Sequence, residues 1–402
     1  MPAGDAPTAP EPPTAPEAPS TRLAALDAFR GLTVLAMVLV NNPGDWQHIY
    51  SPLQHAPWDG CTPADLVFPF FLFIVGASMA YALRKYRADP LLRPAAHLRI
   101  ARRAGLLILL GLLLNSAGQW LRLPSAGWEA LDLAAVRAPG VLQRIALAYG
   151  LAALVALHLS LRAQTALAGA VLLGYWGLLT LLPAWGDPAA NLSPTGNLVK
   201  RIDESLLGKR RLFTQATVEP TDPEGLLSTL PAVVSVLAGF WAGLSVQRHG
   251  PTPASCRGLF AAGCLAAILG AAWGLALPLN KKLWTSSYVI LTSGLAACFL
   301  AVLLRLIDVG RRPPWSRCLE IAGVNAIFIF VASGLVGRWL VLARVPRSGG
   351  DPVALKAWLY ERGFACWLAP PELASLAYAL ATVAVWWLVL AAMARRGWTL
   401  HV

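Results

Sequence analysis

The residues best suited to chemistry stand between His55 and Gly76, in HAPWDGCTPADLVFPFFLFIVG, where a polar turn holding a histidine runs straight into an apolar helix. A neutral imidazole can accept a proton or attack a carbonyl near neutral pH when a neighbour fixes which ring nitrogen carries the hydrogen. Asp65 is the candidate neighbour. It also follows Thr62 and Pro63 at the start of the apolar run, so a plain helix-capping role competes with the catalytic one. Asp59, within the turn, is a candidate substrate contact.

Polar groups inside an apolar run are costly, so each is a candidate site residue. On the run from Ala25 to Asn41, Arg30 and Asn41 fall within about 20° of one another on a helix, with Asp27 about 40° to the other side. That stripe is about 20 Å long and suits an extended, partly polar ligand such as coenzyme A. An internal Asp27 to Arg30 pair is the plainer alternative. Asn41, at the outer end, could donate a hydrogen bond to a tetrahedral oxyanion. Gln143 and Arg144 in GVLQRIALAY lie about one turn inside the same surface, where an arginine needs a carboxylate or a ligand anion. PLNKKLWTSSY places Lys281, Lys282, Trp284 and Ser286 at another outer turn, as acceptor contacts. Arg102, Arg103 and Asn325 join Arg30 and Asp27 as candidate cofactor contacts towards the inner side.

The elements that must position these groups follow from composition. The chain has 402 residues, 56% hydrophobic and 13% charged, with mean hydropathy +0.56. Soluble domains carry about 25% charge, so this is an integral membrane protein. Apolar runs of about 20 residues separated by short polar loops indicate helices. The spacing predicts an all-α polytopic fold of about ten transmembrane helices: Ala25 to Asn41, Ala64 to Leu83, Arg103 to Ser116, Val141 to Leu159, Thr165 to Leu182, Leu226 to Val246, Leu259 to Leu277, Leu283 to Ile307, Ile321 to Leu342 and Leu373 to Met393. The net charge of +12 does not indicate nucleic acid, because Lys and Arg cluster at the ends of apolar runs. Seven of them crowd the loop after the second run, whereas 42–63 holds none, so the positive-inside rule puts both termini in the cytoplasm and His55 outside.

The Pro/Ala-rich start, 1–21, reads as a disordered tail and 398–402 as a short C-terminal tail. The membrane domain spans 22–397, with outer loops at 42–63, 184–223 and 343–371. The second of these reads as a folded lid or an acceptor surface. The third contains KAWLYERGFACWL, an amphipathic segment whose plainer reading is a linker along the membrane surface. Six cysteines show no CxxC or metal spacing, and no metal is expected; Cys61 and Cys366 share the outer side and could pair.

RLAALDAFRGL (22–32), VNNPG (40–44) and the His55 block resemble the heparan-alpha-glucosaminide N-acetyltransferase family, as do GVLQRIALAY (140–149), DPEGLLSTLPA (222–232), NKKLWTSSYVILTSG (280–294) and GVNAIFIF (323–330), in the same order. The resemblance implies that the acetyl group of cytoplasmic acetyl-CoA passes across the membrane to the amine of a glucosamine unit. The family's catalytic histidine, in HAxWNG, falls on His55, its asparagine at the end of the first span on Asn41, and its TxxDLVFP aspartate on Asp65. Asp59 stands where the lysosomal members have asparagine. A bacterial-type short member in an inner membrane is expected, with the His55 loop in the periplasm and a cell-envelope amino sugar as acceptor.

Direct transfer with His55 as base and a two-step route through an acetylated imidazole both fit these residues. An amino-sugar permease, in which the outer polar cluster only binds substrate, is the rival from another class. Expected partners are the lipid bilayer and a glucosamine-containing acceptor, with no nucleic acid; a homodimer is left open.

Overall fold

Apolar length decides most of the architecture. A computed structural model describes residues 23–213, 222–347 and 350–400; the segment 1–21 and part of the loop at 184–223 lie outside the described residues. Helices follow as α1 (Ala24–Asn41), α2 (Pro63–Ala82), α3 (Arg84–Ala88), α4 (Arg93–Trp120), α5 (Leu123–Ala126), α6 (Val141–His158), α7 (Leu161–Leu181), α8 (Leu198–Leu207), α9 (Thr229–His249) and α10 (Pro253–Trp273). The chain continues through α11 (Ser286–Ile307), α12 (Pro314–Val324), α13 (Ala326–Leu342), α14 (Leu355–Tyr360) and α15 (Pro371–Arg395). One antiparallel hairpin, β1 (Arg344–Arg347) with β2 (Gly350–Ala354), joins α13 to α14. Among the described residues, nine helical stretches are long and apolar enough to cross a membrane, or ten if the bent pair α12 and α13 counts as one. The all-α polytopic fold expected from the sequence is the fold observed.

Three expectations need correction. The third span is a 28-residue helix, not the short run from Arg103. Its charged first half stays helical because Arg and Ala are good helix formers and the guanidiniums fold back onto rings, Arg99 over Tyr86 at 5.7 Å and Arg103 over Tyr149 at 4.7 Å. The ninth span is broken: α12 and α13 meet at 70°, and the break is at Asn325. The segment after residue 350 is no mere surface linker, since Tyr360 packs over Gly44 so closely that a methyl group there would lie 2.5 Å from its ring.

Packing sorts the helices into an inner and an outer set. The spans of α2 and α9 are 67% and 72% buried, against 17% for α10 and 22% for α15, whose leucines and valines face the surroundings as a lipid-facing rim would. The inner set touches backbone to backbone. A methyl group on Gly239 of α9 would lie 1.8 Å from the Phe73 carbonyl of α2, and one on Gly31 of α1 would lie 1.8 Å from the Leu319 carbonyl of α12.

These contacts also fix which loops share a face. Asp308, after α11, accepts hydrogen bonds from the amides of Ala24 and Ala25 at the start of α1. Asp27, Asn325 and Trp398 line one cavity, so the start of α1 and the end of the described chain lie on the same face. The His55 loop lies on the opposite face, in contact with the turn between α10 and α11.

Candidate functional site

The first two turns of α2 build the histidine's surroundings. Thr62 and Asp65 form a reciprocal capping box at the helix start. One carboxylate oxygen of Asp65, Oδ2, accepts the backbone N–H groups of Thr62 at 3.1 Å and Ala56 at 3.0 Å. The other, Oδ1, lies 2.8 Å from His55 Nδ1 and 3.3 Å from Lys281 Nζ. Capping and orientation are thus performed by the two oxygens of one side chain. Because the carboxylate only accepts, Nδ1 carries the ring hydrogen and Nε2 keeps its lone pair. Asp65 is 1% exposed and the imidazole 42% exposed, so the base is fixed from below and open from above. Nε2 has no hydrogen-bond partner among the described residues. The neighbouring Cys61 thiol, pushed up to about 12 by burial, is protonated and no competing nucleophile.

The turn between α10 and α11 is fastened to this loop. Asn280 donates to Asp59 at 3.0 Å, and Gly60 N–H donates to the Leu279 carbonyl at 2.7 Å. Lys282 donates to the Pro57 carbonyl at 2.8 Å and lies over the Trp58 ring at 5.5 Å. Asp59 and Lys282, expected at the acceptor, are therefore engaged in joining two loops. Trp284 is fully buried in a left-handed backbone conformation (φ +52°), and Ser286 is buried with its hydroxyl donating to the Leu172 carbonyl at 2.7 Å. Both are packed between helices rather than open to an acceptor. Tyr288 donates to the Asp65 carbonyl at 2.6 Å.

Arg144 is 1% exposed and meets neither a carboxylate nor open solvent. It donates to the Gly225 carbonyl at 3.1 Å and to Ser228, while its Nε and Nη1 are buried without a hydrogen-bond partner. The carboxylates go instead to Arg137, which holds Asp222 (Nε to Oδ2, 2.7 Å) and Glu224. Asn280, Arg137, Asp222 and Glu224 were missed from the sequence. For the last three the signal was an arginine in the loop before α6 and two acids in DPEGLLSTLPA. Nearby, Asp203 of α8 is buried, accepts the Leu226 amide at 2.9 Å, and is pushed up to about 6, chiefly by burial.

The polar stripe of α1 passes three cavities. Asp27 lines an inner one of 1330 Å³ together with Arg84, Arg312, Arg317 and Asn325. Arg30 lines a middle one of 230 Å³ with Ser78 and Arg103. Asn41 lines an outer one of 570 Å³ with Gln143, Arg137 and Arg338. Val324 borders both the inner and the middle cavity, and Leu142 both the middle and the outer, so the three stand in series. Arg30 also pairs with Asp27 at 3.0 Å and donates to Ser78 at 2.6 Å, so the internal pair and the ligand-lining stripe coexist. Arg102 is exposed and lines none of these cavities. Asn325 binds the Trp398 carbonyl (3.2 Å) and the Leu400 amide (2.9 Å), drawing the C-terminal segment under the helix break. Asn41 and His55 share no hydrogen bond and line no common cavity among the described residues. Cys61 and Cys366 are both free thiols rather than a pair.

Comparison with known proteins brings these features together. Residues 22–199, which contain Asn41, His55 and Asp65, match the family described as heparan-alpha-glucosaminide N-acetyltransferase, catalytic. Heparan-alpha-glucosaminide N-acetyltransferase of Homo sapiens is 32% identical over 361 residues, covering 77% of this chain and 52% of the human protein. The Mus musculus protein of the same name is 30% identical over 363 residues, covering 78% and 53%. The chain thus spans about half the length of the curated relatives it matches. A capped aspartate orienting an open histidine thus lies inside the segment in which this chain is similar to the heparan-alpha-glucosaminide N-acetyltransferases.

Proposed function

We propose that this protein is a transmembrane acetyltransferase that passes the acetyl group of cytoplasmic acetyl-CoA to the amine of a glucosamine-type acceptor on the outer side, with the bacterial inner membrane and periplasm as its setting. The observation that carries the reading is the Asp65 to His55 bond of 2.8 Å, which leaves Nε2 as a free base at the outer surface. Kinship with named N-acetyltransferases supports the reaction class. The side with crowded loop arginines is read as the cytoplasm.

Coenzyme A has an anionic nucleotide end and a long, narrow pantetheine arm. The inner cavity, wide and bordered by Arg84, Arg312 and Arg317, suits the first. The narrower middle cavity, beside Arg30 and Arg103, suits the second. Asn41 then faces the arm's outer end, where its amide would donate to a tetrahedral oxyanion, an interaction often worth about 3 kcal/mol. The acetyl group must still pass from the outer cavity to the imidazole, past Trp284, which Phe68 of α2 and Arg144 of α6 both contact.

At His55, Nε2 can take a proton from the acceptor ammonium, freeing the amine to attack the thioester directly: the N–C bond forms, the C–S bond breaks, coenzyme A leaves as a thiolate, and the second proton shed by the amine neutralises that thiolate through solvent. Alternatively, Nε2 attacks the thioester carbonyl: the N–C bond forms, the C–S bond breaks, and coenzyme A leaves as a thiolate that is protonated by solvent. The acceptor amine then attacks the acetyl-imidazole, and the imidazole leaves with its lone pair restored. In both routes Asp65 stabilises the positive ring.

The test is acetyl-CoA turnover by purified protein in detergent with glucosamine, wild type against His55→Ala. Acceptor-dependent release of coenzyme A should fall by about 10²- to 10⁴-fold in the variant. The series of cavities also suits a permease; uptake of labelled amino sugar into vesicles without acetyl-CoA, together with no coenzyme A release in detergent, would transfer the assignment to that class. A burst of coenzyme A release without acceptor selects the covalent route.

A further inference from the structure

Lys281 was expected at the acceptor, yet its ammonium points at the catalytic dyad. Its Nζ lies 3.3 Å from Asp65 Oδ1 and 3.2 Å from His55 Nδ1, while Nδ1 lies 2.8 Å from the same Oδ1. With the ring hydrogen on Nδ1, both nitrogens are donors converging on one oxygen, so the lysine does not hydrogen-bond the ring. Its contact with the imidazole is purely electrostatic. A carboxylate alone would favour a positive ring, whereas a cation beside the ring opposes it. The lysine side chain is 18% exposed, so solvent screens it only in part.

The other charged or titratable groups around the ring are otherwise occupied. Lys282 turns to the Pro57 carbonyl and the Trp58 face. Asp59 is held by Asn280. Cys61 is a half-buried, protonated thiol, and the Tyr288 hydroxyl is spent on the Asp65 carbonyl. Among the described residues, Lys281 is thus the cation in direct contact with the dyad.

We propose that Lys281 is a positioning residue: it clamps the Asp65 oxygen that orients His55 and sets a positive charge beside the ring that offsets the carboxylate's. The inference rests on the acetyl-transfer reading for its consequence, but its electrostatic core can be measured without turnover.

The experiment pairs Lys281→Met and Lys281→Arg with two readouts. The first is the pH profile of acetyl transfer. The second is direct titration of the His55 ring by NMR of the detergent-solubilised full chain carrying ¹³C-labelled histidine, with His55→Gln used to assign its signal. In Lys281→Met both the acid limb of the rate profile and the ring titration should move to higher pH by about one unit, with the acceptor KM unchanged; Lys281→Arg should restore both. A raised acceptor KM with an unmoved titration would return Lys281 to the role of an acceptor contact. Uniform loss at every pH with both curves unmoved would make it a structural prop; either result overturns the proposal. If Lys281→Met does not fold, Lys281→Gln is measured in its place by the same criteria. If wild type shows no acetyl transfer but the ring titration still moves, the acetyl-transfer reading fails while the clamp stands.

Discussion

Arg144 lies over Trp284, guanidinium to ring centre 4.9 Å, and through that contact the end of the long outer loop is joined to the histidine's support. On one side Arg144 holds the Gly225 carbonyl and Ser228. On the other, Trp284 packs edge-on against Tyr288 at 5.3 Å, whose hydroxyl holds the Asp65 carbonyl. A buried cation with two unpaired N–H atoms is costly, and the ring face offsets part of that cost. Arg144→Met should lower stability by about 1–3 kcal/mol, because Ser228 and the Gly225 carbonyl lose a charge-assisted bond, although the carbonyl keeps its bonds from Ser228 and Thr229. The check is thermal unfolding in detergent; an unchanged melting temperature would remove Arg144 from the scaffold.

Asp65 separates capping from orientation by substitution. Asparagine caps a helix about as well as aspartate but cannot hold the Nδ1–H tautomer as an anion. Asp65→Asn should therefore keep the folding stability within about 1 kcal/mol of wild type while coenzyme A release drops by about 10²- to 10⁴-fold. Asp65→Ala should lose both. Equal activity of wild type and the Asn variant would leave the carboxylate as a cap alone.

Asp203 carries a pH signature outside the membrane spans. Burial pushes its carboxyl up to about 6, from an unfolded value of 3.8, so the folded state binds the proton more tightly. The stability this contributes is fully present below about 4 and is lost as pH rises through about 6. Asp203→Asn removes that loss and should be the more stable protein at pH near 7.5 by on the order of 2 kcal/mol, with little difference near pH 4.5. Melting curves at the two pH values decide it; a variant less stable at both would show that the ionised carboxylate holds the loop.

Close backbone contact beside the cavities predicts a contrast between two glycines. A methyl group on Gly323 would lie 1.9 Å from the Asp27 carbonyl, whereas one on Gly105 would meet nothing within 4 Å. Gly323→Ala must push α12 away from α1 and should cost both stability and coenzyme A binding. Gly105→Ala should leave both intact. Calorimetric titration with coenzyme A distinguishes the pair.

The joint at Leu142 offers a steric test of the path. Leu142 borders the middle and outer cavities. Leu142→Trp should leave binding of coenzyme A nearly unchanged while acetyl transfer falls at least about tenfold, since only the outward reach is blocked. Full activity in this variant would move the path elsewhere.

Local physics carried much of this. Runs of about 20 apolar residues can satisfy their backbone in a membrane only as helices, so the polytopic fold was legible from composition and spacing. His55 and Asp65 stand in one loop and the helix it feeds, and a capping residue's direction is set by that helix, so their pairing was also readable. The break at Asn325 was not, because no proline marks it and its amide is satisfied by residues 398 and 400, far along the chain. Nor was Lys281's place beside a histidine 226 positions away. Hydrophobic period records which side of a helix meets apolar neighbours but not which helix lies there. Only the order in which helices pack decided that Arg137 would take the carboxylates expected for Arg144, and that the stripe on α1 would face three cavities in series.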